Sequence, residues 1–168
     1  MKTPKFDLVA TGGTFDEIHI GHLALLSKAF EVGNKTIIGV SSDEFALKTK
    51  GNKKLNHNYY QRVCNLKKVI KQKFANVNYE IAKLDAPYGP TVISERVQAL
   101  ITSSETAKIG RHINKIRLEK GLKPLAIIEV AMKRAENGKP ISSTRIRLGE
   151  INPCGKLLKY DSRKLNNF

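Results

Sequence analysis

Short apolar runs recur along the chain, and longer stretches that mix apolar and polar residues separate them. Four runs, Phe6–Ala10, Thr36–Val40, Gln98–Thr102 and Leu125–Val130, have the length and apolar character of buried strands. Residues 77–81 alternate apolar and polar side chains, which predicts a further strand. About five strands are therefore expected.

The stretches between these runs place apolar residues three or four positions apart, as one face of a helix requires. They predict helices over His22–Val32, Asp43–Lys48, Tyr59–Phe74 and Thr106–Lys120, and a final short helix after the turn at residues 137–140. Strands that alternate with helices predict an α/β fold, an open parallel sheet with helices on both faces. Residues 1–168 are expected to form one domain, with 158–168 as a loosely attached tail.

The composition adds an excess of positive charge. Lys and Arg number 30 against 15 Asp and Glu, which gives a formal net charge of +15 and favours anionic partners. The lysines are scattered, without a basic tail or an RNA-binding motif, which argues against nucleic acid as the partner. No run of about 18 apolar residues predicts a membrane span. The two cysteines, Cys64 and Cys154, fit reduced thiols in a cytoplasmic protein.

The segment from Thr11 to His22 carries the strongest chemical signal. Its glycine pair lies between the first strand and the first helix, where a backbone can approach a phosphate and a helix start offers free N–H groups. His19 and His22 are three apart and lie on one face of that helix start, so both can donate to one polyphosphate. A plain tight turn and a metal site are the alternatives, but no third ligand lies at a recognisable spacing.

A second group of phosphate-binding residues lies near the end of the chain. Ser142, Ser143 and Thr144 supply hydroxyls at the start of the final helix, where backbone N–H groups also point outward. Arg145 and Arg147 add cationic donors. An ordinary capped helix is the alternative, because serine and threonine are favoured caps.

The stretch GGTFDEIHIGH resembles the histidine signature of the nucleotidyltransferase superfamily, and the chain as a whole resembles its archaeal and eukaryotic phosphopantetheine adenylyltransferase family. The matching stretches run from residue 9 to residue 151: VATGGTFDEIHIGHLALL, GVSSDEF, YYQRVCNL, DAPYGPT, SSETAKIG with KGLKPLAIIEV, and GKPISSTRIRLGEI. The resemblance implies a Rossmann-like fold. It also implies transfer of AMP from ATP to 4'-phosphopantetheine, which gives dephospho-coenzyme A and pyrophosphate.

The resemblance also implies roles for particular residues. The catalytic group would be His19, His22, Thr14 and Lys53. Nucleotide binding would fall to Gly13, Thr14, Phe15, His22, Tyr88, Gly89, Thr91, Glu105, Ser142, Ser143, Thr144, Arg145 and Arg147. The acceptor would contact Thr14, Lys53, Lys54 and Arg62, with Lys48 and Lys50 as alternatives to Lys53. Gln61 departs from the family pattern, which has an acid before the arginine.

The expected reaction needs no protein base, since a phosphate monoester is largely ionised at pH 7. Mg²⁺ is expected to arrive with ATP, held by phosphate oxygens and water rather than by protein ligands. Coenzyme A or dephospho-coenzyme A is expected as product or inhibitor. The protein is expected to be a monomer. Two alternatives stay open: a superfamily transferase that uses FMN, nicotinamide mononucleotide or glycerol phosphate, and a basic RNA-binding protein without enzymatic activity.

Overall fold

The computed structural model describes residues 4–49, 54–92 and 94–158. Its sheet has five parallel strands in the order β3-β2-β1-β4-β5. The strands are β1 Phe6–Gly13, β2 Gly33–Ser41, β3 Tyr79–Leu84, β4 Ala99–Ser103 and β5 Ala126–Val130. The prediction of a five-stranded α/β fold is confirmed.

Helices cover both faces of the sheet. They are α1 Ile20–Val32, α2 Asp43–Thr49, α3 Tyr59–Lys73, α4 Ala107–Glu119 and α5 Ser143–Arg147, with a 3₁₀ turn at Gly89–Val92. On one face, α1 and α3 pack Leu26 and Leu66 against Ile38 of β2. On the other face, Ile113 of α4 packs against Leu100 of β4. In the described ranges, no helix combines the length and apolar character that crossing a membrane requires.

The predicted glycine turn after β1 begins later than expected. Gly12 and Gly13 are the last residues of β1, paired with Gly39 and Val40 of β2. A Cβ on Gly12 would lie 3.0 Å from the Gly39 carbonyl oxygen, so the close approach of the two strands is what needs glycine here. Two residues after the strand, Phe15 has a φ of 53°, and the packing of its buried side chain offsets the backbone strain.

Because all five strands are parallel, the segments that follow them meet at one edge of the sheet. The segment after β1, residues 14–19, is called the histidine turn below. At the same edge lie the start of α2, the loop that leads to the 3₁₀ turn, and the corner between β4 and α4. The fold therefore brings polar residues from distant parts of the sequence to one place.

Candidate functional site

His19 ends the histidine turn and caps α1. Its Nδ1 accepts a hydrogen bond from the Gly21 backbone N–H at 3.1 Å, so the ring carries its proton on Nε2. The His22 ring stacks on His19 with a centroid distance of 4.0 Å and lies 4.9 Å from the Phe15 ring. The two imidazoles therefore form one rigid pair in which Nε2 of His19 is a hydrogen-bond donor.

Phe15, predicted to bind nucleotide, has a different place. Its side chain is 1% exposed and belongs to the core with Leu26 and Val40. Burial in this core prevents the ring from contacting a ligand, so the side chain supports the His22 ring instead. Only the Phe15 backbone remains a candidate for nucleotide contact.

The second predicted motif packs directly against the histidine turn. The Ser143 hydroxyl donates to the Glu17 carbonyl oxygen at 3.1 Å, and Nη1 of Arg147 lies 2.7 Å from Oδ2 of Asp16. These residues are 126 and 131 positions apart in the sequence. Ser142 caps α5 by accepting from the Arg145 backbone N–H at 3.3 Å. The α5 segment, residues 142–147, thus packs against the histidine turn.

The two arginines of the α5 segment face different partners. Arg145 pairs with Glu150 at 2.8 Å and donates to the Pro140 carbonyl oxygen at 2.8 Å. Arg147 faces the histidine turn, where it binds Asp16, and its Nη2 donates to the Thr144 hydroxyl at 3.1 Å. Of the two, Arg147 is the arginine that contacts the histidine turn.

Asp16 is a buried carboxylate at the centre of these contacts. Besides Arg147, it accepts from the backbone N–H groups of Asn56 at 3.1 Å and His57 at 3.0 Å, and lies 3.2 Å from Nδ1 of His57. Burial alone would raise the pKa of Asp16. The hydrogen bonds from Asn56, His57 and Arg147 outweigh burial and hold its pKa below the usual 3.8.

Asp16, Glu17 and His57 also approach one another closely enough to be compared with a metal site. Among the described residues they are the one such group. Their oxygens are already engaged, because both oxygens of Asp16 accept from N–H donors and Oε1 of Glu17 accepts from the Asn56 side chain at 2.7 Å. A guanidinium beside Asp16 also opposes a cation there. The group does not fit a resident metal.

The lowered pKa of Asp16 predicts a loss of stability in acid. A carboxylate with a lowered pKa stabilises the fold fully above its unfolded value, here 3.8, and this stabilisation is lost as the pH falls through the folded value. We expect the free energy of unfolding of the wild type to drop below about pH 5. Asp16→Asn should have a lower free energy of unfolding at pH 7 and lose less of it in acid. Urea unfolding between pH 7 and pH 3 measures this.

Asp85→Asn is the control for the acid profile, because the Asp85 side chain is 69% exposed. It should retain the wild-type profile. The prediction would be contradicted if the free energy of unfolding fell with pH at the same rate in the wild type and in Asp16→Asn.

A cavity of about 320 Å³ opens on the face of the sheet that α4 covers. Its apolar wall includes Ile37, Leu84, Leu100, Ile109 and Ile113. Gly13 and Thr14 also line the cavity, so it reaches the first residue of the histidine turn. The structure brings the predicted residues Tyr88 and Thr91 to this cavity, where the Thr91 hydroxyl donates to the Tyr88 carbonyl oxygen.

Two further predicted nucleotide residues do not line this cavity. Gly89 begins the 3₁₀ turn with a φ of 47°, and a Cβ there would lie 2.3 Å from the side chain of Leu84. Gly89 is therefore required by backbone conformation and close packing. Glu105 is exposed at the corner between β4 and α4. Its contact with nucleotide stays a prediction.

Residues 10–149 match the cytidylyltransferase-like family. The chain belongs to that family. The phosphopantetheine adenylyltransferase of Methanothermobacter thermautotrophicus is 46% identical over 156 residues, 92% of this chain and 92% of that protein. The phosphopantetheine adenylyltransferase of Methanosarcina acetivorans is 42% identical, with coverage of 89% and 94%. The resemblance seen in the sequence is confirmed.

A solved structure shares the cytidylyltransferase-like architecture. A protein with unknown function from Archaeoglobus fulgidus superposes with a TM-score of 0.66 at 30% identity, over 74% of this chain and 89% of that one. The assignment to the family thus rests on both sequence and fold.

In this member of the cytidylyltransferase-like family, Arg62 is not placed to bind an acceptor. Its side chain is fully buried and donates to the Thr14 carbonyl oxygen at 2.6 Å, to the Ser41 carbonyl oxygen at 2.7 Å and to Asp43 at 2.8 Å. A guanidinium with three partners and no exposed surface has no side open to a ligand. The structure thus contradicts the predicted contact and makes Arg62 a residue that holds Thr14.

The lysine predictions are divided by what the structure describes. Lys53 and the alternative Lys50 lie outside the described residues, so the predicted role of Lys53 stays a prediction. Lys54 and Lys48 are exposed. Lys54 begins a loop, residues 54–58, whose backbone Asp16 holds through Asn56 and His57. Lys54 therefore lies in a loop whose backbone is tied to the histidine turn.

Sequence reasoning missed two buried charges that shape the site. Asp16 lies inside the histidine signature, and the one available signal was the presence of an acid there in a strongly basic chain. Arg117 of α4 is 1% exposed and donates to the carbonyl oxygens of Thr91, Ser94 and Lys123. It fixes the segment that carries Thr91, and nothing in its local sequence distinguishes it from a surface arginine.

Proposed function

We propose that this protein is an adenylyltransferase that transfers AMP from ATP to 4'-phosphopantetheine, releasing pyrophosphate and dephospho-coenzyme A. The observation that carries the proposal is the direct contact between the histidine turn and the α5 segment, through Ser143–Glu17 and Arg147–Asp16. Two phosphate-binding motifs that meet at one sheet edge can hold a single triphosphate chain. The names of the archaeal relatives support the same reaction.

The proposed reaction is an in-line displacement at the α-phosphorus of ATP. An oxygen of the acceptor phosphate forms the new bond to phosphorus, and the bond from the α-phosphorus to the bridging oxygen breaks, so that pyrophosphate leaves. The acceptor phosphate has a second pKa of about 6, so its oxygen attacks without a protein base. The protein's task is to hold two anions in line and to stabilise the charge that develops.

The histidine pair suits that task. Nε2 of His19 carries a proton because its Nδ1 accepts from Gly21, so it can donate to an oxygen of the α-phosphate as charge builds. His22 is held against it by stacking, with the two ring planes 29° apart. Thr14, which Arg62 fixes through its carbonyl oxygen, can donate its hydroxyl to the same region. The hydroxyls of Ser142 and Thr144, which only accept within the α5 segment, would donate to the β- and γ-phosphates, whereas the Ser143 hydroxyl already donates to Glu17.

The cavity supports an acceptor with a long arm. It starts at Gly13 and Thr14 and continues along an apolar wall that includes Ile109 and Ile113. A phosphate beside Thr14 would leave the rest of the acceptor to fill this volume of about 320 Å³, so that Tyr88 and Thr91, predicted to bind nucleotide, would line the acceptor arm instead. The pantetheine arm is linear and partly apolar, and it fits this shape better than the small, polar glycerol phosphate does.

The test is pyrophosphate release from ATP with a panel of acceptors. We expect release with phosphopantetheine, and none with ATP alone, FMN, nicotinamide mononucleotide or glycerol phosphate. Release with one of these other acceptors in place of phosphopantetheine would identify a different transferase of the superfamily. Salt-sensitive RNA binding without any release would favour the RNA-binding alternative.

A bulky residue in the cavity tests where the arm binds. Ile109 is 43% exposed and lines the cavity, so Ile109→Trp should fill space there without disrupting the core. We expect the KM for phosphopantetheine to rise by about tenfold, which corresponds to about 1.4 kcal/mol, while the KM for ATP changes little. Steady-state kinetics with each substrate varied in turn gives both constants.

Leu118→Trp is the matched control for this variant. Leu118 lies on the same helix, is 61% exposed and does not line the cavity. Its kinetic constants should match those of the wild type. An Ile109→Trp protein with an unchanged KM for phosphopantetheine would place the arm elsewhere.

Mg²⁺ enters this proposal as part of the substrate MgATP, because the carboxylates of Asp16 and Glu17, in the one candidate metal group among the described residues, already accept hydrogen bonds. Coenzyme A, which contains the product, is a candidate inhibitor of the same site. A monomer in the cytoplasm is the proposed state of the protein. The exposed, unpaired Cys64 and Cys154 support the location, since reducing compartments keep thiols free.

A further inference from the structure

We propose that Asp16 is a positioning residue that couples loop 54–58, on the acceptor side, to the α5 segment, on the triphosphate side. The inference rests on the proposed function, because it assigns loop 54–58 to phosphopantetheine and the α5 segment to ATP. It concerns a residue that contacts neither substrate. Asp16 acts through what it holds.

The two oxygens of the Asp16 side chain divide their partners so that loop 54–58 contacts both. Oδ1 accepts from the His57 backbone N–H at 3.0 Å and lies 3.2 Å from its Nδ1. Oδ2 accepts from the Asn56 backbone N–H at 3.1 Å and from Arg147 at 2.7 Å. Loop 54–58 and the α5 segment therefore meet at one carboxylate, which itself lies in the histidine turn.

Burial makes this junction rigid. The Asp16 side chain has 0% exposure and that of Arg147 has 9%, so water does not screen their attraction. Neighbouring Glu17 also contacts both segments, through its side chain to Asn56 and its carbonyl oxygen to Ser143. The Glu17 side chain is 21% exposed, however, and it makes no contact with an arginine in the described residues. Asp16 is the stronger of the two connections.

A charge placed this way has a functional consequence. Loop 54–58 contains Lys54, which is predicted to contact the acceptor, and Arg147 follows the hydroxyls of Ser142 to Thr144. If Asp16 loses its charge, the loop and the α5 segment can each shift relative to the histidine pair. Positioning errors of about 1 Å can reduce a rate by about 100-fold, so both substrates should be affected together.

Asp16→Asn is the variant that tests this. Asparagine has nearly the same shape, but both oxygens of Asp16 accept hydrogen bonds from N–H groups. In either orientation of the amide, its NH₂ group would therefore face another donor and lose a hydrogen bond. We expect kcat/KM to fall by about 10- to 100-fold for MgATP and for phosphopantetheine alike. Calorimetry should show weaker binding of each ligand measured alone.

A second variant separates the two connections. The His57 side chain is 31% exposed, so His57→Ala removes a contact of the loop with little risk to folding. We expect it to raise the KM for phosphopantetheine several-fold and to leave the KM for MgATP near the wild-type value. If Asp16→Asn does not fold, His57→Ala decides: an unchanged KM for phosphopantetheine overturns the inference.

Asn114→Ala is the control for stability alone. Asn114 exchanges two hydrogen bonds with the Leu125 backbone, at 2.9 and 2.7 Å, at the opposite edge of the sheet. It should lower Tm and leave both values of kcat/KM unchanged. An Asp16→Asn protein that behaves like Asn114→Ala, or that affects one substrate only, overturns the inference.

Hydrogen exchange distinguishes failure of this inference from failure of the proposed function. If the wild-type protein releases no pyrophosphate with phosphopantetheine, the proposed function is contradicted. The role of Asp16 can still be tested then, because hydrogen exchange is measured without substrate. In Asp16→Asn, without substrate, we expect faster exchange in both residues 54–58 and residues 143–147. Faster exchange in one segment alone, or in neither, overturns the coupling.

Discussion

His19→Ala should lower kcat by about 100- to 1,000-fold, the usual effect of removing one donor that stabilises developing charge. In the structure, Nδ1 of His19 is occupied by the Gly21 N–H, and Nε2 is thereby the donor. The binding of ATP should weaken much less, because His22 and the α5 segment still hold the nucleotide. Stopped-flow or quench-flow turnover with calorimetric Kd for ATP gives both quantities.

His19 also caps α1, so its removal costs stability of about 1 kcal/mol. His19→Asn is the matched control, because asparagine is a good N-cap but lacks a donor at the position of Nε2. It should restore Tm without restoring turnover. Wild-type turnover in His19→Ala would remove this histidine from the mechanism.

Arg62→Met should lower the free energy of unfolding by about 3 kcal/mol, because it leaves two backbone carbonyls and a carboxylate without their partner. We take the lower end of the usual range since the Asp43 side chain is 40% exposed. Turnover should also fall, because Arg62 holds the Thr14 carbonyl oxygen. Urea unfolding and the rate below Tm measure the two effects.

Arg111→Met is the control for losing an arginine. The Arg111 side chain is 64% exposed and lies 3.8 Å from Glu129, an ion pair that is expected to contribute less than about 1 kcal/mol. Equal losses of stability in the two variants would show that the buried contacts of Arg62 contribute little. A higher KM for phosphopantetheine in Arg62→Met, with unchanged stability, would return Arg62 to the acceptor site.

The elements that sequence predicted best are those with strong local patterns. α3 is expected at Tyr59–Phe74 and runs over Tyr59–Lys73, because its apolar spacing and the cap from Asn58 are local features. β1 is expected to end at Ala10 but continues to Gly13. Glycine suggested a turn there, whereas packing against Gly39 keeps the chain extended. Tertiary contact overrode a local preference.

The histidine pair and the α5 hydroxyls were predictable because each motif is compact in sequence and chemically specific. Arg62 was not, because a lysine-rich helix gives no sign of which cation turns inward. Asp16 was equally hidden: its partners Asn56 and Arg147 are 40 and 131 positions away. The local sequence indicates which side chains could bind a phosphate. It does not indicate which of them already form hydrogen bonds within the folded protein.

The sequence by itself determined the alternation of strands and helices, the two phosphate motifs and the family. Only the tertiary structure decided that β1 lies between β2 and β4, so that the histidine turn, loop 54–58 and the α5 segment meet. The physical reason is the distance along the sequence over which each interaction acts. Periodicity and capping act over a few residues, whereas the placement of Arg147 beside Asp16 depends on how the whole sheet is ordered.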